Sequence, residues 1–192
     1  MKKINSIIIV GSSGSGKTTL VNGLRTKKYA DKVVVPRRYI TRPQRQGDDL
    51  IENIHITKEE FEQKLKAGEI DPAWTRELEN GRLEQYGFVP IEPGDNRLRI
   101  YSGNNAFLRD INSSVQKILN NAQVVVCMAQ PEKRTSRLGD RSPDMSESER
   151  SVRLSDSGAD ALEFDNIEII ETTNLSPADG QKALQDLMQQ YA

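Results

Sequence analysis

Apolar residues are concentrated in short runs, and stretches with helical spacing lie between those runs. Residues 7–10 and 123–128 are the clearest runs, and their β-branched content is typical of strands buried on both faces of a parallel sheet. The pattern predicts strands at residues 7–10, 32–35, 98–101, 123–128 and 167–170. It predicts helices at residues 17–26, 57–68, 105–119, 131–138, 149–162 and 177–191. This alternation predicts an α/β fold with a doubly wound, mostly parallel sheet and helices on both faces.

Two stretches interrupt the alternation. Residues 37–52 are first basic and then acidic, and residues 69–93 are rich in proline and glycine. We interpret the first as an irregular binding segment and the second as loops. Between them, Thr57 and Glu60 form a capping box that predicts the start of a helix, and Gly68 predicts its end.

The clearest chemical motif is Gly11-Ser12-Ser13-Gly14-Ser15-Gly16-Lys17-Thr18, which matches the P-loop (Walker A) pattern between a strand and a helix. Its glycines let successive backbone N–H groups curl around an anion. Lys17 supplies a positive charge to the outer phosphates, and the hydroxyl of Thr18 can bind Mg²⁺. The motif therefore predicts that residues 11–18, with Thr19, bind ATP and that Thr18 is the metal ligand. The base-reading Asn-Lys-x-Asp loop of GTPases is not found in the sequence, which favours a kinase.

The charge of the chain is balanced overall but clustered locally. A formal net charge of −1 over 192 residues gives no reason to expect a nucleic-acid or membrane partner. Two segments are nevertheless basic: residues 37–45 carry Arg37, Arg38, Arg42 and Arg45, and residues 133–153 carry Lys133, Arg134, Arg137, Arg141, Arg150 and Arg153. These clusters indicate a small anionic ligand, with a solvated surface as the alternative.

Cys127 and His55 are the only residues of their types. A single cysteine forms no intrachain disulfide, which suits a reducing compartment, so we expect a cytoplasmic protein. Cys127 lies within an apolar run and is predicted to be an inert core thiol. A lone histidine argues against multi-histidine zinc sites and most hydrolase triads.

The order of several motifs resembles that of guanylate kinases. Residues 38–48, Arg-Tyr-Ile-Thr-Arg-Pro-Gln-Arg-Gln-Gly-Asp, resemble the guanylate kinase segment Ser-x-Thr-Thr-Arg-x-Pro-Arg-x-Gly-Glu. Tyr86-Gly87 resembles a later Tyr-Gly pair of that family. Pro131-Glu132, Arg137-Leu138-x-x-Arg141 and then Arg153 resemble its lid and flanking arginines.

This resemblance implies a role for each matched residue. Arg42 and Arg45 are expected to hold the phosphate of the acceptor, and guanidinium groups suit that task because they bind phosphate bidentately. Lys17, with Arg137, Arg141 and Arg153 from the lid, is expected to neutralise charge on the transferring group. The resemblance also implies one domain, with a core at about 1–36, 94–133 and 154–192, an acceptor-binding subdomain at about 37–93 and a lid at about 134–153.

The residues that read guanine in that family are replaced here. Arg38 stands at the place of a serine, and Ser102-Gly103-Asn104-Asn105 stands at the place of an Asp-x-Asp motif. Asp71 is the candidate for a guanine-reading glutamate. A second branch, the ribose 1,5-bisphosphate phosphokinases, resembles the chain better through Arg38-Tyr39-Ile40-Thr41-Arg42, Glu52-Asn53, Trp74, Asn80-Gly81, Tyr86-Gly87 and Ser102-Gly103-Asn104-Asn105-Ala106. An acceptor with two phosphates and no base favours the extra cation of Arg38.

The resemblance therefore predicts an ATP- and Mg²⁺-dependent kinase acting on ribose 1,5-bisphosphate or a related sugar phosphate. The acceptor site is predicted to comprise Arg38, Arg42, Arg45, Asp71, Tyr86 and Ser102. Two alternatives stay open: a guanylate or other nucleoside monophosphate kinase, and a non-catalytic binding module. Trp74 either walls the acceptor site or fills the joint between subdomains, and the sequence leaves monomer and homodimer open.

Overall fold

The computed structural model describes residues 4–45, 48–78, 81–109, 113–141, 147, 150, 151, 154 and 167–191. Its strands are β1 (Ser6–Val10), β2 (Val33–Val34), β3 (Arg38–Ile40), β4 (Asn53–His55), β5 (Ala73–Glu77), β6 (Leu83–Phe88), β7 (Leu98–Ser102), β8 (Ala122–Met128) and β9 (Ile167–Glu171). Its helices are α1 (Lys17–Asn22), α2 (Lys58–Lys66), α3 (Asn105–Arg109), α4 (Ser113–Leu119), α5 (Pro131–Arg141) and α6 (Pro177–Gln189).

The main sheet has five strands in the order β2–β7–β1–β8–β9, and every pairing in it is parallel. All five predicted strands are present in this sheet, so the predicted α/β fold is confirmed. In such a sheet ligands bind at the carboxyl ends of the strands. The P-loop follows β1 at that edge, Gly103 follows β7 and Thr172 follows β9.

Alternate residues of β1 build the core on either side of the main sheet. Ile7 and Ile9 are fully buried in one cluster, which includes Leu20 of α1 and residues of α6. Ile8 and Val10 are fully buried in the other cluster, which includes Phe107 of α3 and residues of α4. A strand with both faces covered must be apolar throughout, and this explains the unbroken apolar run.

A second sheet has the strand order β4–β3–β6–β5. β3 lies in the stretch predicted to be irregular, β5 and β6 lie in the stretch predicted to be loop-rich, and β4 follows the first of these. β3 and β4 are parallel, whereas β6 is antiparallel to both β3 and β5. The prediction of loops over residues 69–93 was wrong, because β5 and β6 lie there. The prediction of an irregular segment over residues 37–52 was also wrong where β3 forms. These strands have three to six residues and carry polar side chains, so they show no apolar run.

The helices agree with the sequence pattern in most places. The capping box of α2 is formed, with Glu60 N–H donating to Thr57 Oγ1 (3.1 Å) and Thr57 N–H donating to Glu60 Oε2 (2.8 Å). α1 is shorter than predicted. The helix predicted at 105–119 corresponds to α3 and α4, with residues 110–112 outside the described residues, as is also the case for most of 149–162. Across the described part of the chain, no helix combines the length and apolarity that a membrane crossing requires.

Trp74 fills the joint between the two sheets. From β5, its ring packs against Phe107 of α3 with centroids 4.9 Å apart, and its Nε1–H donates to Asn104 Oδ1 (3.0 Å). It also stacks on Tyr86, with centroids 5.5 Å apart. Only 2% of Trp74 is exposed, so the structure favours the joint over a wall of the acceptor site.

Candidate active site

The P-loop lies tightly against its neighbours, and two of its glycines show why other residues do not fit. Gly11 has a φ of +143°, and a Cβ atom there would lie 2.2 Å from the carbonyl oxygen of Cys127. Gly14 has a φ of +79°, and its Cβ would lie 2.9 Å from the carbonyl oxygen of Arg134. Both backbone conformations are ones that L side chains rarely adopt. The loop is therefore wedged between the end of β8 and the start of α5.

Side chains from around the loop hold its carbonyl oxygens. The Nζ of Lys17 donates to the oxygens of Gly11 (2.6 Å) and Ser12 (2.9 Å). Further donors are Arg134 Nε to Ser13 O (3.1 Å), Arg137 Nη1 to Gly14 O (3.2 Å), Thr172 Oγ1 to Ser15 O (2.7 Å) and Cys127 Sγ to Ser15 O (2.7 Å). Because a peptide N–H points away from the preceding C=O, these bonds direct the N–H groups of Gly14 and Gly16 towards the opposite side. Both glycines line the cleft there, as an anion cradle requires.

Arg137 was predicted to act from the lid, and the structure places it on α5 in contact with the loop. Its Nη1 donates to Thr172 Oγ1 (2.9 Å), and its Nη2 donates to the carbonyl oxygen of Thr172 (2.6 Å). Thr172 thus connects the end of β9, the P-loop and α5. The sequence gives no signal for this threonine because its role depends on tertiary contacts.

Cys127 is 1% exposed at the end of β8. Burial raises the pKa of its thiol above the ordinary value, so the neutral form is favoured. Its predicted burial is confirmed.

A cleft of about 550 Å³ joins the P-loop to the second sheet. Its P-loop end is lined by Ser13, Gly14, Gly16, Lys17, Thr18 and Thr19, and its far end by Arg38, Arg42, Arg45, Asp48, Arg76 and Tyr86. Lys133, Arg137, Leu138, Thr172, Leu175 and Pro177 line a third part, next to the P-loop. Predicted nucleotide and acceptor residues therefore face one continuous space.

Arg42 is held by Asp48 at the far end of the cleft. Its Nη1 and Nη2 donate to the two oxygens of Asp48 (2.6 and 2.8 Å), and the backbone N–H of Arg45 donates to the same carboxylate (2.8 Å). Burial would raise the pKa of Asp48, but the hydrogen bonds and charge of Arg42 outweigh it and lower the pKa to about 2. The Nε2 atom of His55 lies 3.3 Å from this carboxylate, and its Nδ1 lies 3.0 Å from the carbonyl oxygen of Arg42.

Arg45 is paired with a buried carboxylate. Its Nη2 lies 3.5 Å from Glu84, which is 1% exposed and also accepts hydrogen bonds from Tyr86 Oη (2.6 Å) and Arg82 Nη2 (3.0 Å). Burial would raise the pKa of Glu84, but the bond from Tyr86 and the charges of Arg45 and Arg42 give a net lowering. Glu84 therefore stays ionised and fixes the surrounding cations.

Arg38 lines the cleft, as a residue predicted to bind the acceptor must, and it also connects the two sheets. Its Nη1 donates to the carbonyl oxygen of Ser102 at the end of β7 (2.7 Å). Its Nε and Nη2 donate to Asn53 Oδ1 (3.2 and 2.8 Å), and Nη2 lies 3.5 Å from buried Glu52. The guanidinium lies over the ring of Tyr86, 5.8 Å from its centroid.

Not every predicted site residue reaches the cleft. Asp71 is exposed and Ser102 is buried, and neither is among the described residues that line the cleft. The side chain of Arg141 and the whole of Arg153 lie outside the described residues. Arg76 and Lys133 line the cleft but were not predicted as site residues. Arg76 lies on a strand that the sequence did not predict, and this is why its position could not be anticipated.

The lining of the cleft is strongly cationic. Lys17, Arg38, Arg42, Arg45, Arg76, Lys133 and Arg137 all face it, and Asp48 is the one carboxylate among the described lining residues. The whole chain carries a formal charge of −1, so the excess is specific to this surface. Concentrated positive charge in a cleft selects highly anionic ligands.

Proteins of known structure share this fold. A guanylate kinase from Anaplasma phagocytophilum aligns over 98% of this chain and 87% of its own, with a TM-score of 0.59 and 17% identity. TT1252 from Thermus thermophilus aligns over the full length of both chains, with a TM-score of 0.52 and 16% identity. The chain has the guanylate kinase-like P-loop fold. At these identities the likeness concerns the fold.

Comparison with curated sequences supports the second resemblance. The chain is 36% identical over 75 residues to the ribose 1,5-bisphosphate phosphokinase PhnN of Psychromonas ingrahamii, a match that covers 38% of this chain and 37% of that protein. It is 35% identical over 69 residues to the PhnN of Rhodopseudomonas palustris, covering 35% and 34%. The matches thus span little more than a third of these relatives. No protein-family model matches the chain. The predicted likeness to both groups is confirmed.

Proposed function

We propose that the protein is an ATP- and Mg²⁺-dependent kinase that transfers the γ-phosphoryl group to a phosphate of a small acceptor. The observation that carries this proposal is the single cationic cleft with a P-loop at one end and the Arg42–Arg45 pair at the other. Two phosphorylated ligands bound in one such space can approach each other. The fold and the partial likeness to PhnN proteins are consistent with it.

The nucleotide would bind with its phosphates in the P-loop. The N–H groups of Gly14 and Gly16 and the ammonium of Lys17 would surround the β- and γ-phosphates. The part of the cleft lined by Leu138, Leu175 and Pro177 offers apolar surface for the nucleoside. A Cβ at Gly11 or Gly14 would collide with main-chain oxygens of the protein, so glycine at these positions lets the loop adopt the conformation in which its N–H groups would meet the phosphates.

Mg²⁺ fits the polar groups that are present. Thr18 lines the cleft directly after Lys17, and its hydroxyl is a suitable oxygen ligand. Mg²⁺ generally keeps several waters and binds proteins through one or two groups together with substrate phosphates. The described residues contain no cluster of three or more acidic, histidine or cysteine side chains. Thr18 would therefore hold the ion together with the phosphates, and the ion would neutralise charge on the phosphoryl oxygens.

In the transfer step, an oxygen of the acceptor phosphate bonds to the γ-phosphorus while the bond from that phosphorus to the β–γ bridging oxygen breaks. ADP leaves with the bridging oxygen and its electron pair. Lys17 and Arg137 would stabilise the charge on the transferring group, as would Arg141 and Arg153, and Arg42 and Arg45 would position the acceptor. Such reactions depend on position and electrostatics, so no dedicated general base is required.

The favoured acceptor is ribose 1,5-bisphosphate or a related sugar phosphate. Reading guanine needs a carboxylate that accepts from the base, because the base edge presents N–H donors. Asp48 is engaged by Arg42, and buried Glu84 by Tyr86, Arg45 and Arg82. The end of β7 carries Ser102, Gly103 and Asn104 in place of acids. The surroundings of the acceptor are thus rich in phosphate-binding groups.

The test measures ADP formation and the phosphorylated product with ATP and Mg²⁺ against ribose 1,5-bisphosphate, ribose 5-phosphate, GMP and dGMP. We expect turnover with ribose 1,5-bisphosphate and a loss of about 100-fold or more in kcat/KM for Lys17→Ala and Arg42→Ala. Arg37→Gln is the matched control, because Arg37 is in the same basic segment but binds carbonyl oxygens of Leu50 and Ile51 outside the cleft. Turnover of GMP alone would favour a guanylate kinase, and no turnover with any acceptor would refute the proposal.

A further inference from the structure

Arg76 belongs to the same row of the second sheet as the acceptor-binding Arg42. On β5 it is the register partner of Glu84 on β6. On the other side of β6, Ile40 is paired with Tyr86, so two further residues along β3 bring Arg42 opposite Glu84. Hydrogen bonds between Thr41 and Gln85 continue that register beyond the end of β3.

Glu84 therefore lies between two arginines on neighbouring strands. Two strand spacings separate the backbones of Arg42 and Arg76, which is roughly 10 Å. Because alternate residues share a face, Arg76 is on the face of Trp74, and the partner Tyr86 on that face lines the cleft. Arg76 lines the cleft as well. The two guanidinium groups thus reach the same space from opposite sides of one buried carboxylate.

Four arginines, together with the carboxylate of Asp48, are among the described residues that line this end of the cleft. Asp48 pairs with Arg42, Glu84 with Arg45 and Arg82, and Glu52 with Arg38. Arg76 is one of the four lining arginines and lies across Glu84 from Arg42, whereas Arg82 is not among the described residues that line the cleft. A ligand with a single phosphate at Arg42 and Arg45 would leave Arg76 facing the cleft on the far side of Glu84.

We propose that Arg76 binds a second phosphate group of the acceptor and so selects bisphosphorylated sugars over monophosphates. This inference rests on the proposed function, because it takes Arg42 and Arg45 as the site of the first phosphate. Guanidinium groups bind phosphate through paired, charge-assisted hydrogen bonds, so one such contact distinguishes strongly between ligands with and without the second group.

Arg82 provides a matched control within the same hairpin. It also contacts Glu84, at 3.0 Å, but its side chain is 48% exposed and it is not among the described residues that line the cleft. Loss of either arginine removes one positive charge near Glu84. Only the loss of Arg76 removes a guanidinium from the cleft.

The experiment is calorimetric titration of the whole chain, without ATP, with ribose 1,5-bisphosphate, ribose 5-phosphate and GMP. For Arg76→Gln we expect affinity for ribose 1,5-bisphosphate to fall about 10- to 100-fold and affinity for ribose 5-phosphate to change less than about twofold. Arg76→Lys should recover part of the loss, and Arg82→Gln should bind all three ligands like wild type. Thermal unfolding like that of wild type would show that the variants are folded. If Arg76→Gln does not fold, Arg76→Lys replaces it in the titrations.

Equal losses for both sugar phosphates would overturn the inference, as would an unchanged affinity for the bisphosphate or a wild type that binds no bisphosphate. A selective loss of GMP affinity would instead assign Arg76 to a base. The outcome is separable from the proposed function. If Arg76→Gln selectively loses bisphosphate binding while the wild type transfers no phosphoryl group, Arg76 remains assigned and the kinase is refuted. Phosphoryl transfer that is unaffected in Arg76→Gln does the reverse.

Discussion

Asp48 and Arg42 form a two-pronged ion pair, with Nη1–Oδ2 and Nη2–Oδ1 distances of 2.6 and 2.8 Å. Asp48 uses one edge of the guanidinium group. The edge formed by Nε and the second Nη2 hydrogen is not used by Asp48, and under the proposed function the carboxylate would orient this edge of Arg42 towards the acceptor phosphate.

Replacing Asp48 by Asn should therefore weaken acceptor binding. Without the bidentate ion pair, Arg42 loses its fixed orientation. We therefore expect the KM for the acceptor to rise about tenfold, while the KM for ATP stays within twofold. Steady-state kinetics with each substrate varied would measure this. Asp49→Asn is the control, because Asp49 binds Asn22 outside the cleft. A lower acceptor KM would show instead that Asp48 competes with the phosphate.

The same pair predicts a dependence of stability on pH. The folded pKa of Asp48 is about 2, below the ordinary value of 3.8. The ionised carboxylate therefore stabilises the fold above pH 4, and this contribution is lost as the pH falls from 4 through 2. We expect the free energy of unfolding of wild type to exceed that of Asp48→Asn by about 1–2 kcal/mol between pH 5 and 8. Urea unfolding at several pH values would show this difference shrinking below pH 4, and a difference that persists at pH 2 would contradict it.

Gly11→Ala should disrupt the P-loop through a collision as well as through backbone strain. Its Cβ would lie 2.2 Å from the carbonyl oxygen of Cys127, which is main-chain and so cannot move aside cheaply. Gly94→Ala is the matched control, since Gly94 has a φ of +91° but nothing within 4 Å of its Cβ position. We expect Gly94→Ala to cost about 1 kcal/mol of unfolding free energy and Gly11→Ala to cost more and to abolish ATP binding. Equal effects in calorimetric titration and thermal unfolding would refute the argument.

Thr172→Val should weaken nucleotide binding without changing acceptor binding. The substitution removes the hydroxyl that holds the carbonyl oxygen of Ser15 and accepts from Arg137. We expect about 1–3 kcal/mol less unfolding free energy and a several-fold weaker affinity for ATP. Thr173→Val controls for loss of a hydroxyl at the same turn, because Thr173 binds Glu171 and Gln130 instead of the P-loop. If both variants bind ATP alike, Thr172 has no special part in shaping the loop.

Trp74 offers an intrinsic fluorescence signal for the end of the cleft that is proposed to bind the acceptor. It is the sole tryptophan, and it stacks at an interplanar angle of 15° on Tyr86, which lines the cleft. Ligands that move Tyr86 should therefore alter its fluorescence. We expect ribose 1,5-bisphosphate to change the emission and Arg42→Ala to abolish that change at the same ligand concentration. A response to ATP as large as the response to the acceptor would contradict this coupling.

The sequence predicts those elements whose residues are all buried among apolar side chains or form one contiguous motif. β1 and β8 are apolar because both their faces are covered, and the P-loop is a contiguous motif. The second sheet escaped prediction because β6 contains Glu84, a buried carboxylate that is neutralised by partners from other segments. In a linear sequence such a residue looks like a solvated one.

The site shows the same division. Lys17 and Thr18 could be predicted because their neighbours in sequence are also their neighbours in space. Arg76 and Thr172 could not, since the first depends on strand register and the second on the approach of β9 to the P-loop. Asp71 was predicted from the order of motifs alone, and it is not among the described residues that line the cleft.

Arg38 has a consequence for how the protein can move. Its bond to Ser102 joins the second sheet to the end of β7, and its bonds to Asn53, within the second sheet, hold the guanidinium in place. A rotation of one sheet relative to the other would break a charge-assisted hydrogen bond of 2.7 Å across that boundary. This bond therefore disfavours rotation between the two sheets, and under the proposed function it would help to set the distance between the P-loop and Arg42 before either substrate binds.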